Sequence, residues 1–81
     1  MNKTDYPALI KKHLHRIAPE ADLGKLDPQN DLGSTLDIDS MDFYRMMVAI
    51  SEELGIEIPE EEYGRLRNVK NIVEFLESTD T

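Results

Sequence analysis

Residues 36–43 read LDIDSMDF, an aspartate-flanked serine placed where turn chemistry gives way to apolar residues at helical spacing. Asp39 or Ser40 can accept hydrogen bonds from the unpaired N–H groups of a first helical turn, and Asp42 adds negative charge where the helix dipole is positive. A helix should start here. Phe43, Met46, Met47, Ile50 and Leu54 recur at steps of three and four, and Gly55 supplies a stop, so the pattern predicts a helix over about 40–54. A serine at such a start is ordinarily a cap; the alternative is a covalent attachment point.

Upstream, residues 19–39 keep no period, and Gly24, Pro28, Gly33 and several Asp and Asn residues supply turn chemistry. A connection this long is either functional or disordered, and Leu23, Leu26, Leu32 and Leu36 argue that it is pinned to the core. Before it, Tyr6, Leu9, Ile10, His13, Leu14 and Ile17 form the stripe of a helix over about 4–18, starting near Thr4 or Asp5 and stopped before Pro19. Downstream, Pro59 opens a short helix over about 59–66, with Glu60, Glu61 and Glu62 in its first turn and Tyr63 and Leu66 facing inward. Gly64 costs that helix about 1 kcal/mol relative to alanine. Asn68 caps a last helix over about 68–78, built on Val69, Ile72, Val73 and Leu76, and residues 78–81 form a frayed end. The expected fold is all-α: a four-helix bundle of three longer helices and one short one, with the long loop between the first and second, in a single domain over 1–81.

Composition narrows the function. A chain of 81 residues buries about 60–65 % of its unfolded surface, enough for one small core and no large catalytic cleft. Seventeen acidic residues against nine basic ones give a formal charge of -8, which opposes nucleic acid and anionic lipid and favours basic protein surfaces. There is no cysteine, hence no disulfide, thiolate metal site or cysteine nucleophile. The N-terminal residues lack an apolar secretory core, and no window approaches the roughly 18 apolar residues of a membrane span. A soluble, cytoplasmic monomer is the expectation.

Other motifs give way to plainer explanations. His13 and His15 stand about 200° apart on a helix and cannot chelate one ion together. DPQNDLGSTLDI over 27–38 looks like a calcium loop, but Leu32 occupies the place of the required glycine and Ile38 that of the glutamate. Met46 and Met47 read as helical core, although with Met41 they would also suit an adaptable apolar lining. No nucleophile with a base, metal cluster or phosphate cradle can be assembled, so the chain is not expected to be an enzyme.

The triplet Asp39-Ser40-Met41 at a helix start, the long first loop, and ISEELGIEIPEEEY over 50–63 together resemble the acyl carrier protein family, the phosphopantetheine-binding carriers. The family's triplet is Asp-Ser-Leu, from which Met41 departs with little change of volume. The resemblance implies that Ser40 receives phosphopantetheine covalently, beside Asp39 and Met41, and that the thiol of that arm carries acyl groups as thioesters. A nearby carboxylate would then help hold the magnesium used by the attaching enzyme. The implied partners are a phosphopantetheinyl transferase (holo-acyl-carrier-protein synthase), an acyl- or aminoacyl-loading ligase, and synthases and acyltransferases with basic docking surfaces. The implied contact residues are Asp42, Arg45, Ile58, Glu60 and Glu61. An acidic helical adaptor without a prosthetic group is the alternative.

Two departures bear on the pathway. Where the family has Leu-Gly before the serine, this chain has Leu36-Asp37, so Gly33 and Ser34 are expected to make the turn. Arg45 stands where the fatty-acid-synthesis members commonly carry an acid, and it is spaced to pair with Asp42. Fatty acids, a specialised lipid or polyketide, and an activated amino acid are all compatible cargoes.

Overall fold

The computed structural model describes residues 5–79. Along the chain run α1 (Tyr6–Ile17), the single turn α2 (Leu32–Thr35), α3 (Ser40–Leu54) and α4 (Val69–Thr79), with 3₁₀ turns at Leu23–Lys25 and Glu60–Glu62. No strand occurs among the described residues.

The three longer helices follow from their stripes. Tyr6, Leu9, Ile10, His13 and Leu14 of α1 are buried, as are Phe43, Met46, Met47 and Ile50 of α3 and Val69, Ile72 and Leu76 of α4. These faces meet in one core, with α1 packed against both α3 and α4. Asp5 caps α1 by accepting the Ala8 amide at 3.2 Å, and Asn68 caps α4 by accepting the Asn71 amide at 2.7 Å. Thr4, the other expected start of the first helix, lies outside the described residues.

The long connection is pinned by Leu32, which is fully buried, while Leu23, Leu26 and Leu36 pack on the core from its edge. It is also stitched to the chain ahead of α4. The Lys70 amide donates to the Pro28 carbonyl at 2.9 Å, and the Leu32 amide to the Arg67 carbonyl at 2.7 Å.

Several expectations change. The helix expected over 59–66 is a 3₁₀ turn at Glu60–Glu62 that runs on as turns, the Glu62, Tyr63 and Arg65 amides bonding three residues back and the Leu66 amide reaching the Glu62 and Tyr63 carbonyls. Tyr63 is half-buried and Leu66 is core, so both face inward as expected. The last helix continues through Ser78 and Thr79, whose hydroxyls donate to the Phe75 and Leu76 carbonyls. The expected fraying is therefore absent at those two residues, and Asp80 and Thr81 lie outside the described part. Buried His13 turns its Nε2 to Glu53 Oε1 at 2.8 Å, and Lys12 Nζ reaches Glu53 Oε2 at 2.7 Å. Those bonds, from Lys12 first and then His13, hold the Glu53 carboxyl below its ordinary value.

Candidate functional site

The start of α3 separates two roles that the sequence left merged. Asp39 has extended backbone, φ -77° and ψ 167°, and its Oδ1 accepts the Asp42 amide at 2.8 Å. Asp39 is therefore the cap. Ser40 is the first helical residue; it is exposed, and its hydroxyl makes no hydrogen bond among the described residues. A serine relieved of capping keeps its oxygen for other chemistry.

The turn before it is made by Asp37. Its φ of 55° lies in the left-handed region that favours glycine, and it is the only non-glycine residue with positive φ among those described. Gly33 and Ser34, expected to make that turn, lie inside α2. The Leu36 amide donates to the Leu32 carbonyl and the Ile38 amide to the Gly33 carbonyl, each at 3.0 Å, which closes α2 as helices ending in a left-handed residue commonly close. Asp37 thus stands with a glycine's backbone where the resembling pattern has glycine.

Around Ser40 the surface is mixed. Met41 is 60 % exposed and Tyr44 39 %, the two large apolar side chains most open to solvent among the described residues, while Asp42 is half-buried. Arg45 is exposed and has no carboxylate partner among the described residues, so the pair expected with Asp42 does not form. Tyr63 joins the Glu60–Glu62 turn to α3, its ring edge-on to Phe43 at 6.3 Å and tilted against Tyr44 at 5.6 Å. Burial, with Tyr44 and Glu60 nearby, raises the Tyr63 phenol above its ordinary value. Glu60 and Glu61 are exposed beside these rings. Ile58, expected to meet partners, is only 6 % exposed and belongs to the core.

Two residues went unnoticed in the sequence. Asp31 caps α2 by accepting the Ser34 amide at 2.9 Å, and Arg67 brings Nε to Asp31 Oδ1 at 3.1 Å and Nη2 to Oδ2 at 3.3 Å. The Arg67 hydrogen bond first, and the Ser34 amide after it, lower the Asp31 carboxyl from 3.8 to about 2. The Arg67 guanidinium carbon also lies 5.2 Å from the centre of the Phe43 ring. Asp31 before apolar Leu32 is a cap signal that could have been found. Nothing local marks Arg67, which lies 36 residues from its partner.

A family model described as "Phosphopantetheine attachment site" matches residues 8–76, from the first turn of α1 to near the end of α4. The chain belongs to that family. It is similar to the acyl carrier protein of Helicobacter pylori, 32% identical over 77 residues that cover 90% of this chain and 87% of that protein. The mitochondrial acyl carrier protein 2 of Arabidopsis thaliana is 32% identical over 75 residues, 93% of this chain and 56% of that protein. That of Thermosynechococcus vestitus is 35% identical over 52 residues, 64% of each. The chain thus spans less than two thirds of the length of the latter two relatives. The group that this family takes is phosphopantetheine. The exposed, unbonded Ser40 hydroxyl at a helix N-terminus is chemically suited to a phosphodiester. No helix of the described residues is long and apolar enough to cross a membrane.

Proposed function

We propose that Ser40 is the phosphopantetheine attachment residue and that the chain carries acyl groups as thioesters between enzymes of fatty acid, specialised lipid or polyketide biosynthesis. The observation that carries this is the division of labour at the head of α3: Asp39 caps the helix, and the Ser40 hydroxyl is left exposed and unbonded. The matched family span and the acyl carrier protein relatives support it.

Once attached, phosphopantetheine supplies the thiol on which the cargo is held. The protein's own work is positional. The first turn of α3 offers its positive dipole end to the phosphodiester. Asp39 holds that turn with Oδ1, and its Oδ2, free of hydrogen bonds among the described residues, is available to the magnesium that serves the attaching enzyme. Exposed Met41 and Tyr44 give incoming enzymes apolar contact, and Asp42, Glu60 and Glu61 give basic docking patches a charge to meet. The compartment belongs to the same proposal: we place the carrier in the cytoplasm, where its loading enzymes would be met in solution.

Incubation with coenzyme A, magnesium and a broad-specificity phosphopantetheinyl transferase should add one phosphopantetheine mass to the intact protein. Ser40→Ala should take up none while keeping its helicity, because the Asp39 cap is untouched. An unmodified wild type would favour an adaptor without a prosthetic group, and a modified Ser40→Ala protein would move the site elsewhere. Offering the loaded protein to acyl- and aminoacyl-loading ligases then separates an acyl cargo from an activated amino acid.

A further inference from the structure

Ser40 lies just after a corner, where α2 ends, Asp37 turns the chain and α3 begins. One side chain touches both arms of that corner. Arg67 bonds through Nε and Nη2 to Asp31, the cap of α2, and lies over Phe43 in the first turn of α3. Its carbonyl also accepts the Leu32 amide at 2.7 Å. Gly33 belongs to the same arrangement, since a Cβ there would overlap Arg67 Nη2. The planar guanidinium suits this double task, taking a carboxylate along its edge while presenting a face to an aromatic ring, which an ammonium cannot do.

From Arg67 the connection to Ser40 is short and bonded throughout. Asp31 holds the Ser34 amide, the Asp31 carbonyl holds the Thr35 amide at 2.9 Å, and the bonds from Leu36 and Ile38 close the turn before the Asp39 cap. α2 is a single turn and cannot hold its own shape, because one turn fixes many dihedrals for few hydrogen bonds. Its geometry must come from tertiary contacts: Leu32 anchors it in the core, and the polar contact it has is Arg67.

We propose that Arg67 is the positioning residue of the attachment site: bonded to Asp31 on one arm and lying over Phe43 on the other, it holds the α2–α3 corner in the conformation that presents Ser40 to a phosphopantetheinyl transferase. This rests on Ser40 being the attachment residue. Arg67 does not touch the group transferred; it sets the approach of the hydroxyl.

The test compares two ion-paired clamps in the same full chain. Arg67→Ala opens the corner, whereas Glu53→Gln weakens the clamp of α3 to Lys12 and His13 on α1. At temperatures equally far below each protein's own Tm, Arg67→Ala should lower kcat/KM for phosphopantetheinyl transfer about tenfold, as misplacement of a reacting group does, while Glu53→Gln stays near wild type. Gly33→Ala should reproduce the loss with both charges retained, and Arg67→Lys should restore only part of the rate. Hydrogen exchange on the unmodified protein supplies a second measure that needs no loading. Arg67→Ala should speed exchange at the Leu36 and Ile38 amides about tenfold and leave the Ile50 amide as in wild type, the mark of local rather than global opening. Equal transfer rates for Arg67→Ala and Glu53→Gln, or unchanged exchange at Leu36 and Ile38, would overturn the proposal. A wild type that takes up no phosphopantetheine would instead remove Ser40 as the attachment residue, and exchange would still decide whether Arg67 holds the corner.

Discussion

In the first turn of α3, Ser40 and Met41 stand in solvent, the Asp42 and Phe43 amides bond to Asp39, and Phe43 alone is buried. Further along the same helix, Met47 and Ile50 are fully buried, and Glu53 is tied to both Lys12 and His13 of α1. One helix thus has an end whose exposed face is held by polar contacts, with Phe43 its one anchor in the core, and a half held by packing. The difference separates two kinds of failure: damage to the packed half should cost folding, and damage to the polar end should cost the use of Ser40 while the fold survives. Ile50→Ala probes the packed half most severely, because deleting a fully buried branched side chain costs about 2–5 kcal/mol, a large share of the stability of so small a domain. Urea unfolding should show the loss directly. A cost below 1 kcal/mol would mean that the packed half is no better held than the exposed end.

The same contrast explains what could be read in advance. The stripes of α1, α3 and α4 were legible because apolar residues repeat at the helical period and the core needs them on one face. Ser40 was legible as a candidate attachment residue, but which of Asp39 and Ser40 caps α3 was not, since both have capping chemistry and only the backbone angles separate them. α2 was hidden because four residues carry no period, and its support comes from burial of Leu32 and from Arg67 across the fold. His13 showed as a member of the apolar stripe, while its partner Glu53, 40 residues away, carried no local sign of the bond. The short acidic helix was legible from its proline and glutamates, but not its length or type, since its amides bond mostly three residues back and the regular part is the Glu60–Glu62 turn.

Removing the cap is the next sharpest probe. Asp39→Ala should cost about 0.5–2 kcal/mol in urea unfolding and fray the first turn around Ser40. The comparison predicts a larger proportional effect on phosphopantetheine transfer than on stability, the reverse of Ile50→Ala. If transfer were unaffected, the order of the first turn would be irrelevant to loading.

The two left-handed corners refine the contrast, because α2 ends on Asp37 with φ 55° and α3 on Gly55 with φ 68°. Gly55→Ala should destabilise by about 1 kcal/mol, as an added Cβ disfavours that conformation. Asp37→Gly should do the opposite and stabilise by about 0.5 kcal/mol, relieving the backbone at the cost of extra freedom in the unfolded chain. Thermal melts of both variants check the pair of signs. Destabilisation by Asp37→Gly would show that the aspartate side chain earns its place at the corner.

Acid separates the two clamps. Asp31 and Glu53 are both held below their ordinary values, so each favours the folded state above its unfolded value and loses that contribution as pH falls through the folded one. For Asp31 the window runs from 3.8 down to about 2. Over that range the urea midpoint of wild type should fall with pH, and the Asp31→Asn curve should be flatter. A curve of unchanged slope would mean that Arg67 and Asp31 are not paired in solution.

Arg45 should have the smallest effect on stability and the most selective effect on traffic. It is exposed on α3, three residues after Asp42, and has no ion pair among the described residues, so Arg45→Glu should shift stability by no more than about 0.5 kcal/mol. If partners of the proposed carrier meet α3 with basic patches, an unpaired cation there would work against them by repulsion, and a partner with an acid at that point would gain by it. Arg45→Glu should therefore speed acyl transfer with a generic fatty-acid synthase enzyme whose docking patch is basic and slow transfer with a dedicated partner. Raising salt until the Debye length falls from about 10 Å to about 3 Å should shrink both differences, because exposed charges act through screened Coulomb forces. Equal rates for wild type and Arg45→Glu with both enzymes at low salt would leave Arg45 a solvated charge, and selection would rest on Met41 and Tyr44, the apolar part of the same exposed end.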